Sequence, residues 1–121
     1  MNFKIWHKEK ELWISRGNLY INGYGEMLWW DGVTTSILVP ADYKICYSTG
    51  KSDMHGHEIF YGDIFQDDWM VNFGDYTYIE DDISAKHYGW YFDDMNGARL
   101  PFEINLKIDE VVDNIYERNR K

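Results

Sequence analysis

Short β-prone runs punctuated by Gly, Asn and Asp recur along the whole chain, and helical periodicity is nearly absent. Such spacing restricts the chain to antiparallel, all-β architectures built from hairpins. Residues 3–6 and 11–14 read as a hairpin around a polar turn at 7–10. Gly17-Asn18 turns again before a strand at 19–21. Asn22-Gly23 and Asp31-Gly32 are hairpin-turn signals, the second flanked by strands at 27–30 and 34–39. After a strand at 45–47 and a turn-rich segment, Ile64-Phe65 opens another strand. Residues 69–73 then alternate, Gly74-Asp75 reads as a turn, and 76–79 run back. Glu80-Asp81-Asp82 reads as a charged break, 84–87 as a single helical turn and 90–92 as a strand. Asn96-Gly97 turns into a returning strand at 100–106, where Pro101 marks an edge or a bulge. Residues 111–116 are expected to close the sheet, with 118–121 as a frayed tail.

The segment 49–64 is the most heavily punctuated. Asp53 and Gly56 bracket a turn, because Asp bonds its own backbone two residues on and Gly accepts a positive φ. Glu58-Ile59-Phe60-Tyr61 is β-prone, and Gly62-Asp63 corners the chain before Ile64. Ile59, Ile64, Val71 and Ile115 alternate with polar neighbours and are expected to be buried.

A chain of 121 residues reads as one domain, 1–121, long enough to bury a core without disulfides or a structural metal. Aromatics make up 18%, so core and interface energetics should be aromatic. Cys46 stands alone and reads as a small core hydrophobe. No signal-peptide h-region opens the sequence, and the apolar run at 37–41 is too short to span a bilayer. A soluble protein of the producing cell's cytoplasm is expected, with no membrane contact. The net charge of −9 is uneven. Residues 51–98 carry two basic and eleven acidic side chains, while 1–50 and 99–121 each carry five of both. An acidic face is therefore expected within 51–98, and binding to duplex DNA is not.

The run Thr49-Gly50-x-x-Asp53-x-x-Gly56-x-Glu58-Ile59-aromatic-x-Gly62-Asp63-Ile64 resembles the signature of the YopX family of phage and prophage proteins. Phe3-Lys4-Ile5-Trp6 is similar to that family's opening, and Val111-Val112-Asp113-Asn114-Ile115-Tyr116-Glu117 to its close, with Asp113 where the family has Gly. The resemblance implies a phage or prophage origin, and the layout from Gly62 onward, a Gly-Asp entry followed by short antiparallel strands and a closing strand, reads as a small SH3-like barrel in the C-terminal half, within 49–117. Residues 1–48 would form a β-hairpin-rich N-terminal part packed on that barrel or on a neighbouring subunit. Short strands need closed edges, which also favours a barrel. The family carries no settled biochemical role. Thr49, Gly50, Asp53, Gly56, Glu58, Ile59, Gly62, Asp63, Ile64, Asn114, Ile115 and Tyr116 are the signature residues, expected to be structural.

Several constellations admit a chemical reading. His55 and His57, with Asp53 and Asp63 nearby, could share an ion, but polar residues belong in a turn, and the family usually has Asn and Lys at the two His positions. Asp67-Asp68, Glu80-Asp81-Asp82 and Asp93-Asp94 could serve a two-metal hydrolase, yet Asp is favoured at turns and strand ends and no diagnostic Lys or His accompanies them. The same carboxylates on strands repeat at about 6.6 Å, near the phosphate spacing of nucleic acid, and so could mimic DNA. A solvated acidic surface is the simpler account. The tryptophans at 6, 13, 29, 30, 69 and 90 could stack on bases but more often fill cores and interfaces. Adjacent Trp29 and Trp30 must face opposite ways on a strand, so one of them leaves the local core.

No phosphate loop, activated nucleophile or zinc-type Cys pair is present. The expected function is a non-catalytic protein-binding module that needs no cofactor and binds no metal. Its candidate binding residues are Trp29, Trp30, Asp67, Asp68, Glu80, Asp81 and Asp82. The expected partner is a protein, either a second copy in a homo-oligomer or a host or phage factor. A nucleic-acid-associated module using exposed aromatics is the alternative, and a metal-dependent hydrolase the third.

Overall fold

Antiparallel pairing joins every strand of the computed structural model, which describes residues 2–104 and 109–119 apart from the side chain of Arg16. Residues 105 and 106 of the expected strand at 100–106, and 120–121 of the expected tail, lie outside the described residues. The protein is mainly β. Strands β1 (Phe3–His7), β2 (Leu12–Ile14), β3 (Leu19–Ile21), β4 (Met27–Trp30), β5 (Thr35–Leu38) and β6 (Tyr43–Ser52) come first. They are followed by β7 (Glu58–Phe60), β8 (Asp63–Phe65), β9 (Met70–Glu80), β10 (Ile83–Asp93), β11 (Arg99–Pro101) and β12 (Val111–Asn114), then the short helix α1 (Ile115–Arg118). Three sheets result, with strand orders β2-β1-β6-β7, β3-β4-β5 and β11-β10-β9-β8-β12. The five-stranded sheet is half a barrel: among the described residues its end strands β11 and β12 do not pair.

One device recurs at the turns. The side-chain oxygen of Asn22 accepts from the N–H groups of Tyr24 and Glu26, that of Asp53 from His55 and His57, and that of Asp94 from Asn96 and Ala98. Asp31 does the same for Val33 and Thr34. Each carboxylate or amide replaces ladder bonds that the reversing backbone loses. These loops are wider than the two-residue turns that Asn22-Gly23 and Asp31-Gly32 suggest, because β4 begins only at Met27 and β5 only at Thr35.

The sheets share two apolar centres. Ile5, Ile14, Trp29 and Leu38 are buried between the first and second sheets. Ile59, Phe65, Val71 and Phe92 fill the half-barrel. Ile59, Ile64 and Val71 are fully buried, as their alternation predicts, whereas Ile115 is only half-buried. Ile115 does not continue β12, because the Asn114 side chain accepts the Tyr116 N–H and starts α1 there. The strand expected through 116 therefore stops at 114.

The largest departure from the sequence reading lies at 74–88. Gly74-Asp75 is no turn, and 84–87 is no helix. β9 and β10, eleven residues each, form one continuous hairpin. Asp81 and Asp82, at φ 52° and 63°, make the tight two-residue turn that sets Glu80 opposite Ile83. That register carries 84–87 into the ladder opposite 76–79. Gly74 and Gly89 face each other within the ladder at φ 141° and 147°, so the glycines sit inside the ribbon instead of reversing it. Beyond them the ribbon extends as an arm of residues 75–88.

Candidate functional site

The segment 49–64 builds a seam to the end of the described chain. Ser48 pairs Phe60 and Ser52 pairs Glu58, so three residues of β6 oppose Ile59 alone. Gly50 sits at φ 79° in this bulge. The Thr49 hydroxyl donates to the Ile59 carbonyl at 2.9 Å and accepts the Lys51 N–H at 3.1 Å. Past the bulge, Asp53 is buried. One carboxylate oxygen accepts the His55 and His57 N–H groups, and the other accepts the Val111 N–H at 3.0 Å. Burial pushes this carboxyl up, but the N–H donors of Val111, His57 and His55 outweigh it and hold it below its ordinary value.

Asp63, also buried, accepts the Phe60 N–H at 2.8 Å and the Asn114 side-chain amide at 3.0 Å. Here burial wins over those two donors, and the pKa is raised. Gly62 donates to the Val71 carbonyl and accepts the Ile115 N–H at 2.8 Å. A Cβ on Gly62 would lie 3.1 Å from the Ile115 Cγ2, and the residue's φ is 89°. Gly56 turns at φ 78° with open space around it. Just before β1, the Asn2 amide donates to Glu58, and on β1 the Lys4 ammonium lies 4.3 Å above the Trp13 ring. Trp6 lies 6.1 Å from the Tyr116 ring, and Trp13 Nε1 donates to the Glu117 carboxylate. The three sequence blocks that carry the resemblance thus touch one another. Their polar side chains face backbone groups or one another, an arrangement that builds the fold. Burial likewise pushes the Cys46 thiol up to about 12, which removes it as a nucleophile at neutral pH.

The candidate binding residues are scattered. Trp29 is 6% exposed, packed near His7, while Trp30 is 37% exposed on the other face of β4. Asp67 and Asp68 both have positive φ, at 74° and 62°, and Asp68 is bonded by the Arg118 guanidinium at 2.9 Å. Asp67 and Glu80 line one cleft of about 560 Å³ with Phe65, Trp69, Tyr78 and Phe92. Asp81 and Asp82 form the arm's tip. Trp29 and Trp30 lie on β4, in a different sheet from Glu80. Of the acidic residues in 51–98, Asp53, Asp63 and Asp93 are buried, so the excess is partly internal and structural. His55 lies 3.5 Å from the Glu110 carboxylate, and His57 lies 3.7 Å from that of Asp53. Among the described residues no group of three or more His, Cys, Asp or Glu side chains is placed to hold a metal ion.

The sequence reading missed the outer face of the arm. Phe73 opposes Trp90, Asp75 opposes Tyr88, Thr77 opposes Lys86 and Ile79 opposes Ser84, all on one face. Phe73 is 44% exposed, Ile79 66% and Tyr88 73%. Phe73 sits edge-on to both Tyr88 and Trp90, at 5.3 and 4.9 Å. At the arm's root this face runs into an apolar groove of about 370 Å³, lined by Lys44, Ile45, Tyr47, Tyr61, Phe73 and Trp90. The signal was present in the sequence as alternation mirrored about Asp81-Asp82. No helix among the described residues is long and apolar enough to cross a membrane. Compared with known proteins, the chain matches no family model, no curated protein and no solved structure.

Proposed function

We propose that this chain is a YopX-like phage or prophage protein acting in the bacterial cytoplasm as a non-catalytic protein-binding module. On this reading its half-barrel is a variant of an SH3-like barrel, and the arm is the binding element. One observation carries the proposal. A two-stranded ribbon is marginally stable alone in water, yet this one exposes Phe73, Ile79 and Tyr88 among polar neighbours on one face and leaves two strand edges unpaired among the described residues. Exposed large apolar side chains beside an apolar groove, together with open strand edges, mark protein contacts. The acidic tip, with Glu80, Asp81 and Asp82, disfavours a phosphate backbone as the partner.

The test is affinity capture from the bacterial host, comparing the wild-type chain with an Ile79→Asp/Tyr88→Asp double variant. A specific protein held by the first and lost by the second, at salt concentrations that abolish DNA binding, is the expected result. Capture unaffected by the substitutions, or tight salt-sensitive binding to random duplex DNA, overturns the reading.

A further inference from the structure

We propose that the arm's outer face binds the same face of a second copy of this chain, the two arms lying antiparallel so that each tip covers the other's root. The inference rests on the protein-binding reading above and names the partner. Four cross-strand pairs form the face, in order from root to tip: Phe73/Trp90, Asp75/Tyr88, Thr77/Lys86 and Ile79/Ser84. They span roughly 20 Å at the rise of a β-strand.

Laid antiparallel about a two-fold axis, the first row meets the fourth and the second meets the third. Ile79 of one copy then reaches Phe73 and Trp90 of the other, where the apolar groove begins. β9 then lies over β9, so Asp75 of one copy faces Thr77 of the other with the long Lys86 side chain diagonally beside it on the neighbouring strand, and by symmetry this happens twice. The face is therefore self-complementary in charge as well as in apolar character, as a two-fold interface requires. The acidic turn, Asp81-Asp82, arrives toward the groove, where the Lys44 ammonium lies over Tyr61 at 4.9 Å. The alternative, with the arms parallel, would bring both acidic tips together and place the two Asp75 residues, and the two Lys86 residues, diagonally beside each other. Like charges so placed oppose assembly, and this decides the orientation.

A ribbon face this long and about 10 Å wide offers roughly 200 Å² per copy, well below the approximately 800 Å² of a standard interface. The groove around Lys44 and Tyr47 must be covered too, and the dimer should be weak, with a dissociation constant in the micromolar range.

Sedimentation equilibrium of the full chain, from roughly 1 to 500 µM, tests this. The expected result is a reversible monomer–dimer equilibrium. Ile79→Asp and Tyr47→Asp should each weaken it at least about tenfold. Asp75→Lys and Lys86→Asp should each weaken it, and the two together should restore it, because the swapped charges meet again across the axis. All four residues except Tyr47 sit on the solvent-facing arm, and circular dichroism confirms that each variant is folded. A single-chain mass throughout overturns the proposal, as does a dimer that ignores the charge swap or dissociates only on Trp30→Ala. A monomer would leave the host-capture result standing or falling on its own, since that result compares two baits at fixed concentration.

Discussion

Replacing Asp53 by Asn tests whether the seam holds the fold together. The carboxylate accepts three backbone N–H bonds, two within its turn and one from Val111 on β12. An amide offers one oxygen. Keeping the His55 and His57 bonds turns the NH2 toward the Val111 N–H, so a donor faces a donor. One charge-assisted bond is lost, worth about 1.5–3 kcal/mol, and a buried N–H is left unsatisfied at about 1–3 kcal/mol. The neutral amide is cheaper to bury than a carboxylate, which offsets part of this. The net expectation is a loss of about 2–4 kcal/mol, a large share of the stability of a domain this size. Urea unfolding monitored by tryptophan fluorescence measures it, and amide exchange at Val111 should accelerate more than exchange in β1. A loss below about 0.5 kcal/mol would refute the reasoning, since it would mean that Val111 is satisfied without Asp53.

Further expectations follow from the same contacts. Gly62→Ala should cost about 2–4 kcal/mol, from the left-handed backbone and the crowding against Ile115 together, whereas Gly50→Ala, in open space, should cost only about 1–2 kcal/mol; thermal melts compare them. Trp29→Ala should destabilise by about 3–5 kcal/mol and Trp30→Ala by less than about 1 kcal/mol, judged by urea midpoints. The two buried carboxylates should act oppositely with pH. Asp53, lowered, contributes stability that is present above 3.8 and lost as pH falls through its folded value below that. Asp63, raised, contributes stability that is present below 3.8 and lost as pH rises through its folded value. The stability gap between wild type and Asp53→Asn should therefore shrink on acidification from neutral pH, and that between wild type and Asp63→Asn should not.

Much of the fold was legible because turn chemistry is local. Asn22, Asp31 and Asp53 punctuate where the sequence says they do, and the β-prone runs between them pair as hairpins. The errors share one cause. A glycine followed by aspartate, or three acidic residues in a row, signals a bend without saying which of two nearby bends reverses the chain. At 74–88 the sequence reading placed the reversal at Gly74-Asp75, whereas pairing across Asp81-Asp82 places it at the tip. Ile115 was misread for a related reason, since a strand pattern of two residues is overridden by the asparagine cap before it. The signature residues were recognisable as turn formers, but their partners were not. Nothing near Asp53 in sequence points to Val111, and nothing near Asp63 points to Asn114. The arm's outer face was hidden because its apolar residues belong to two strands that had been read as four separate pieces.

The seam also sets a timetable for the growing chain. Val111 is 58 residues beyond Asp53, and Asn114 is 51 beyond Asp63. At a translation rate of 5–20 residues per second, Asp53 waits about 3–12 s for its third donor. During that interval the half-barrel has its apolar strands but not the strand that locks them, and both carboxylates remain hydrated. Synthesis of β12 and α1 then commits the fold in one step, so a ribosome stalled before residue 111 should hold a chain with formed hairpins and an unlatched core.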